Sequence, residues 1–204
     1  ILIIQNMILH YRKSLYNSLS KYYDVFVMHS GAPSSGDSDK YKEIIGGSFK
    51  IGPIQYQNKV LSEVRNKKYH AIIAMADLRW VCNTIAFYSR RREIKFIFWG
   101  QWLTEKPLID KFKIYLSKKS ENNILYSNQA KNEFIKKGVP KENLVVANNT
   151  IDIGERIKSY KNKKKFRIIF VGSLHERKKI NILIEVFNQM LPLISNKIRL
   201  TIIG

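Results

Sequence analysis

The sequence predicts an α/β protein: a doubly wound parallel sheet over residues 1–152, a basic linker over 153–165, and the start of a second α/β domain over 166–204. Three observations carry this. Short, continuously apolar runs alternate strictly with segments of helical periodicity, and six such runs precede residue 148. Continuous apolar runs suit strands covered on both faces, and strict alternation selects a parallel sheet with helices on its faces. After residue 152 a lysine-rich segment ending in KNKKK interrupts the pattern, and a fresh strand–turn–helix–strand unit follows. Both domains are therefore expected to be Rossmann-like, facing one another across a cleft.

ILII (1–4) is the first strand, residues 5–10 its turn, and 11–20 a helix with Leu15 and Leu19 one turn apart. DVFVMHS (24–30) is the second strand. Residues 31–48 are dense in small and polar residues and predict a long loop. A helix over 54–67, strand 70–76, helix 78–91 and strand 94–100 come next. Pro107 opens a helix running to Leu116, since proline suits a first helical turn. Strand 123–127 precedes a helix over 128–137, stopped by Gly138 with Pro140 beyond it. LVVA (144–147) is the sixth strand.

Right-handed crossovers leave the carboxyl ends of all these strands on one edge, where such sheets bind ligands. The turns at that edge are 6–12, 29–35, 77–80, 99–105, 127–128 and 148–152.

Composition narrows the partners. The chain has 204 residues, 45% of them hydrophobic, and a formal net charge of +20. That field attracts nucleic acid, nucleotide phosphates or an anionic membrane surface, and charge alone does not choose among them. One cysteine, Cys82, excludes an internal disulfide and fits a reducing compartment. Four scattered histidines with one cysteine give no zinc spacing, and no metal and no cofactor are expected. No apolar run reaches the ~18 residues of a transmembrane helix.

In the second unit the run 166–171 ends in Gly172, and His175, Arg177, Lys178 and Lys179 follow before Ile180, Leu183, Ile184 and Phe187 recur at helical spacing. A strand feeding a basic turn that opens a helix is a phosphate-binding geometry. The bland reading is an ordinary turn with solvated lysines.

VGSLHERKKINILIEVF (171–187) resembles the opening of the C-terminal domain in retaining GT-B glycosyltransferases of family 4, the group 1 type. VPKENLVVANNTID (139–152), the opening residues 1–27 and FWGQW (98–102) resemble the same enzymes, in bacterial members that make surface polysaccharides such as lipopolysaccharide or capsule. The resemblance implies transfer of a hexose-type sugar from a nucleotide sugar, such as a UDP- or GDP-sugar, with retention and without a required metal. It implies a polysaccharide or lipid-linked saccharide acceptor, and a cytoplasmic enzyme peripheral to the inner face of the plasma membrane.

Within that resemblance Gly172, Ser173, Arg177 and Lys178 fall on the donor-phosphate site, and Lys178 on its phosphate-contacting lysine. Ser173 stands where arginine is common. Gln101 stands where a catalytic histidine is common. His10, Tyr11, Arg12, Asp77, Arg79, Trp99, Gly100 and Trp102 are the acceptor or cleft-lining candidates. The competing readings are a helix-capping His10, a solvated Arg12, a structural Asp77–Arg79 pair and core tryptophans. Asn148, Asn149 and Asp152 are expected to shape the interdomain turn. The acidic donor-sugar motif of the resemblance is not found before residue 204, so a truncated second domain without turnover of its own is expected.

Arg90, Arg91, Arg92, Lys111, Lys113, Lys118 and Lys119, beside Phe112, Ile114, Tyr115 and Leu116, predict a basic, partly apolar surface for an anionic membrane; a solvated lysine-rich surface is the alternative. The rival functions are a non-catalytic relative and a basic nucleic-acid-binding protein. No helix-turn-helix, RNP, KH or zinc-finger pattern supports the latter, so no nucleic acid is expected.

Overall fold

A computed structural model describes residues 1–34, 36–65, 69–152, 166–193 and 198–204; the expected linker, 153–165, lies outside them. The chain forms two compact units, Ile1–Ile153 and Gly154–Gly204.

The first unit runs β1 (Leu2–Ile4), α1 (Lys13–Leu19), β2 (Phe26–His29), β3 (Lys42–Ile45), β4 (Ser48–Ile51), β5 (Ile54–Gln57), α2 (Val60–Val64), β6 (Ala71–Met75), α3 (Val81–Ser89), β7 (Lys95–Gln101), α4 (Pro107–Lys119), β8 (Asn122–Leu125), α5 (Asn128–Lys136) and β9 (Leu144–Val146). Seven strands form one sheet in the order β3-β2-β1-β6-β7-β8-β9, and every neighbouring pair is parallel. The chain leaves β1 toward β3, then returns to β6 and continues toward β9. The direction of winding therefore reverses between β1 and β6, and ligands of open α/β sheets bind at the carboxyl end of such a reversal.

Leu2, Ile4, Ile72, Ala74, Phe96 and Phe98 pack one face of the sheet against Val60 and Val64 of α2, Cys82, Ala86 and Phe87 of α3 and Leu116 of α4. The other face carries Ile3 and Val27 against Tyr16 of α1. A smaller cluster, Leu125, Phe134, Val139 and Leu144, seats α5 on the last two strands. Ser127 caps α5, its Oγ accepting from the Ala130 N–H at 3.1 Å. Cys82 is buried, as its helical setting predicts, and burial pushes its thiol pKa up.

Two expectations need correction. The loop over 31–48 contains β3, a half-buried edge strand on β2. The helix over 54–67 begins instead with β5, paired antiparallel to β4, and only Val60–Val64 is helical before residue 65. Phe49, Ile51, Ile54 and Tyr56 alternate at period two around Gly52–Pro53, and the Phe49 and Tyr56 rings stack at 5.3 Å. Period two won over a helical reading of 54–67.

The second unit pairs β10 (Phe166–Val171) with β11 (Ile198–Ile203) in parallel, with α6 (Ile180–Met190) between them. None of its described residues is buried.

Candidate functional site

At the carboxyl edge where the winding reverses lies a cavity of about 380 Å³. All three tryptophans of the chain, Trp80, Trp99 and Trp102, line it, with Asn6, Gln55, Asp77, Arg79, Gly100 and Tyr126. Of the residues singled out in the sequence, Asp77, Arg79, Trp99, Gly100 and Trp102 meet here.

Each is fixed by local chemistry. Asp77 ends the β6 turn by accepting the Arg79 N–H at 3.0 Å, an Asx-type turn. The Arg79 guanidinium returns as a fork, Nε at 3.0 Å to Oδ1 and Nη2 at 2.6 Å to Oδ2. Burial alone would raise the Asp77 pKa; the hydrogen bonds and charge of Arg79 hold it below the usual carboxylate value. Gly100 sits in a bulge of β7, where the register to β8 shifts between Trp99 and Gln101. Its φ is 78°, and a Cβ there would stand 2.8 Å from the Tyr126 hydroxyl. Only glycine fits both constraints. Trp102 is held from below by Lys113, whose Nζ donates to the Trp102 carbonyl at 2.7 Å and lies 4.6 Å from its ring centroid. Burial lowers the Lys113 pKa, opposed by the charges of Asp110 and Asp77.

A second cavity, of about 470 Å³, opens on the sheet face beneath α1. Tyr11, Arg12, Asn148, Asn149 and Asp152 line this cavity rather than the tryptophan-lined one. Trp99 and Tyr126 line both. Arg12 is no solvated cation: its guanidinium lies 4.6 Å over the Trp99 ring, and it donates to Gln5 Oε1 and, at 3.2 Å, to the Tyr126 hydroxyl. The wall shared by the two cavities is thus braced by a cation and two aromatic rings. His10 is exposed, makes an edge contact with Tyr11 and caps no helix.

Gln101, expected as the catalytic candidate, has a partner inside the fold. It is buried, and its amide donates to Asn123 Oδ1 at 2.7 Å; Asn123 in turn donates to the carbonyls of Ser117 and Asn143. The amide bridges β7 to β8 within the fold. Two members of the expected basic surface turn inward, one buried and one half-buried. Lys113 is buried under Trp102. Arg90 pairs with Glu121 at 2.8 Å, packs over the Phe87 ring and donates to the carbonyls of Phe87 and Ile94.

In the second unit Gly172 follows β10 at a φ of 155°, its N–H donating to the Ile203 carbonyl at 2.9 Å. Ser173 accepts from the His175 N–H at 2.9 Å through its carbonyl. Arg177 and Lys178 lie in the 3-10 turn Glu176–Lys178, and Lys179, left-handed at φ 53°, opens α6. All four of Ser173, Arg177, Lys178 and Lys179 are at least partly exposed, and no ion pair among the described residues involves them. The basic turn thus stands at the start of a helix of 11 residues.

Sequence reasoning missed Gln55, brought to the edge by the hairpin, and Tyr126, whose ring meets Gly100 across the bulge. The period-two alternation over 49–56 was the available signal for Gln55; nothing local marks Tyr126. Among the described residues no three His, Cys, Asp or Glu side chains are grouped to hold a metal ion, and no helix is long and apolar enough to cross a membrane.

By sequence the chain matches no protein-family model and no curated protein. Solved structures do resemble it. HepE of Anabaena in complex with UDP is 15% identical over 100% of this chain and 69% of its own, with a TM-score of 0.61. The lipopolysaccharide outer core galactosyltransferase WaaB is 12% identical over 98% of this chain and 59% of its own, with a TM-score of 0.57. UDP-N-acetylglucosamine 2-epimerase from Rickettsia bellii is 15% identical over 98% of this chain and 67% of its own, with a TM-score of 0.53. With the parallel sheet and its alternating helices, these likenesses establish the fold: α/β, Rossmann-like and of the GT-B type.

Proposed function

We propose that the protein is a glycosyltransferase that moves a hexose-type sugar from a nucleotide-sugar donor to a saccharide acceptor, with retention of configuration and without a required metal. One observation carries the reading: all three tryptophans converge, with Asn6, Gln55, Asp77 and Arg79, on a cavity at the winding reversal of the sheet. A sugar ring has an apolar C–H face and a rim of hydroxyls. Indole faces match the first, and planar amide, carboxylate and guanidinium groups match the second.

The basic turn of the second unit supports the donor half. A leaving nucleoside diphosphate gains negative charge as the glycosidic bond breaks, and fixed cations at a helix start stabilise that charge. Lys178 and Arg177 supply the charge here, the first turn of α6 supplies N–H groups, and Ser173 one hydroxyl. Gly172 offers backbone that a diphosphate can approach. Gln101, committed to Asn123, supports the strand end and takes no part in the chemistry. HepE has been crystallised with UDP-glucose and WaaB is a galactosyltransferase, so likeness of fold to them supports a sugar nucleotide as donor.

The fold is shared by a UDP-N-acetylglucosamine 2-epimerase. An epimerase works on one substrate, whereas a tryptophan-lined cavity in the unit without the basic turn suits a second saccharide. The test is titration of the protein with UDP and GDP, followed by its incubation with a panel of sugar nucleotides and oligosaccharides. NMR of the product reads the anomeric configuration, and a chelator arm reads metal dependence. Transfer that Trp102→Ala weakens is the expected result. Epimerised sugar nucleotide without transfer would replace the reading, and salt-dependent nucleic-acid binding with no response to either diphosphate would end it.

A further inference from the structure

We propose that Gln55 selects the acceptor ring, its free amide reading two adjacent hydroxyls of the saccharide that the tryptophans stack. The proposal rests on the saccharide half of the function proposed above.

The β4–β5 hairpin stands outside the seven-stranded sheet, yet its second strand reaches the winding reversal. Antiparallel pairing sets Phe49 opposite Tyr56 and Ile51 opposite Ile54 on one face, and Lys50 opposite Gln55 on the other. The base of the hairpin is anchored on both faces. Tyr56 packs against the main core, and Gln57 is buried. Residue 55 is then fastened by its backbone. Its N–H donates to the Arg79 carbonyl at 2.7 Å, and it bridges in parallel to Trp80. These contacts fix where the side chain of residue 55 starts without using any of its polar atoms. A thioether or hydrocarbon of the same length would leave them intact, so the fold does not call for an amide here.

The other polar side chains around the cavity have partners. Asp77 and Arg79 hold one another, the Tyr126 hydroxyl accepts from Arg12, and Asn6 Oδ1 accepts the Met7 N–H at 2.9 Å. Gln55 is half-buried and lines the cavity, and neither Oε1 nor Nε2 has a hydrogen-bond partner among the described residues. The chemistry of that amide narrows the ligand. A guanidinium or an indole N–H only donates, and a carboxylate only accepts; an amide does both from one plane. Two hydroxyls on neighbouring ring carbons, unless both are axial, point close together. One can accept from Nε2 while the other donates to Oε1. With the apolar face of the ring on indole, this fixes which edge of the sugar turns toward the hairpin. A sugar lacking either hydroxyl leaves half of the amide unpaired, which is how such a site rejects analogues.

All three tryptophans line the cavity, so intrinsic fluorescence reports its occupancy. The experiment is a fluorescence titration with the methyl glycosides of glucose, galactose and mannose, and then with the monodeoxy analogues of the tightest. Wild type and Gln55→Met are compared, with UDP affinity and the urea midpoint as controls. Loss of either of two adjacent hydroxyls should weaken binding to wild type about tenfold, the worth of one hydrogen bond in a partly enclosed site. Gln55→Met should bind the parent sugar at least about tenfold more weakly and no longer distinguish those two analogues from it. Its UDP affinity and urea midpoint should match wild type. Discrimination that survives in Gln55→Met, sensitivity confined to hydroxyls that are not adjacent, or a lowered midpoint with equal losses for every sugar would each overturn the proposal. The two readings fail differently. A tryptophan response that Gln55→Met leaves unchanged removes Gln55 and keeps the saccharide cavity, whereas UDP binding with no response to any glycoside removes both and keeps the donor half.

Discussion

The strand-end edges of the two units use cations in opposite ways. At the edge of the first unit Arg79 is clasped to Asp77, Arg12 lies on Trp99 between Gln5 and Tyr126, and Lys113 is sunk beneath Trp102. These charges are spent on shaping walls. At the edge of the second unit Arg177, Lys178 and Lys179 crowd one short turn, and no ion pair among the described residues engages them. A satisfied cation offers little to an incoming anion, whereas a cluster of unpaired ones is relieved by it. On the function proposed above, the first edge would hold a neutral, ring-shaped ligand and the second a diphosphate. Packing differs in parallel: helices cover one face of the first sheet and α1 part of the other, while no described residue of the second unit is buried.

The largest test of that contrast is in the packing. Phe96 is fully buried in β7 against Phe87 and Phe98. Phe96→Ala should destabilise the first unit by about 3–5 kcal/mol, the cost of the lost transfer energy plus the cavity. Ile169 of β10 is 58% exposed, and Ile169→Ala should cost less than about 1 kcal/mol. Urea unfolding of both variants measures the difference, and comparable losses would break the comparison.

The glycines come next. At Gly100 an added Cβ meets both a φ of 78° and the Tyr126 hydroxyl, so Gly100→Ala should cost about 1–3 kcal/mol and move tryptophan fluorescence through Trp99 and Trp102. At Gly172 the φ of 155° disfavours alanine, yet the only neighbour among the described residues is the Phe170 ring at 3.6 Å. Gly172→Ala should therefore be milder, about 1 kcal/mol, and be read in weaker UDP affinity. A Gly100→Ala protein with unchanged unfolding and fluorescence would remove the bulge from the account of the cavity.

Legibility in the sequence follows the same division. Whatever sits immediately after a strand was readable, because alternation alone puts it on the ligand edge: Asp77, Arg79, Trp99 and Trp102 needed no tertiary information. Strands with continuous apolar runs were equally plain. β3 was hidden because an edge strand, paired on one side only, needs few apolar residues, and KEII inside a glycine-rich stretch has no run to notice. Gln101 and Lys113 have partners that were illegible for a different reason. Their chemistry suits a cleft and a surface, and only packing shows that Asn123 and Trp102 claim them. Tyr11 and Arg12 were right as edge residues but lie at a different cavity, since α1 carries them over the sheet face.

Single cations sharpen the contrast further. Lys178→Ala should weaken UDP binding about tenfold, the worth of one charge-assisted hydrogen bond, with little change in unfolding. Arg79→Ala should do the reverse, leaving UDP affinity unchanged and lowering stability by less than about 1 kcal/mol, because the Arg79 side chain is 71% exposed and solvent screens its pair. Calorimetric UDP titration alongside urea unfolding separates the two effects. UDP affinity lost at Arg79 instead of Lys178 would exchange the roles of the edges.

The smallest effect is the most particular to the first edge, and its sign is fixed. Arg79 holds the Asp77 carboxyl below its usual value, so in the folded state the group stays ionised at pH values where the unfolded chain, near pKa 3.9, has begun to bind a proton. The unfolded state then carries more protons, and stability rises with pH through that interval. The contribution is complete above the unfolded pKa and is lost as pH falls through the folded one. Arg79→Ala removes the guanidinium's share of the depression and leaves the backbone N–H at that position and the Lys113 charge, so wild type should exceed the variant near neutral pH, and the gap should shrink on acidification below about pH 4. Lys178→Ala removes a cation with no carboxylate paired to it among the described residues, so its stability difference from wild type should stay flat over the same range. Urea midpoints for the three proteins between neutral and acid pH measure this. A gap at Arg79 that persists unchanged into acid would mean that the Asp77–Arg79 fork is not what holds the turn beneath the tryptophans.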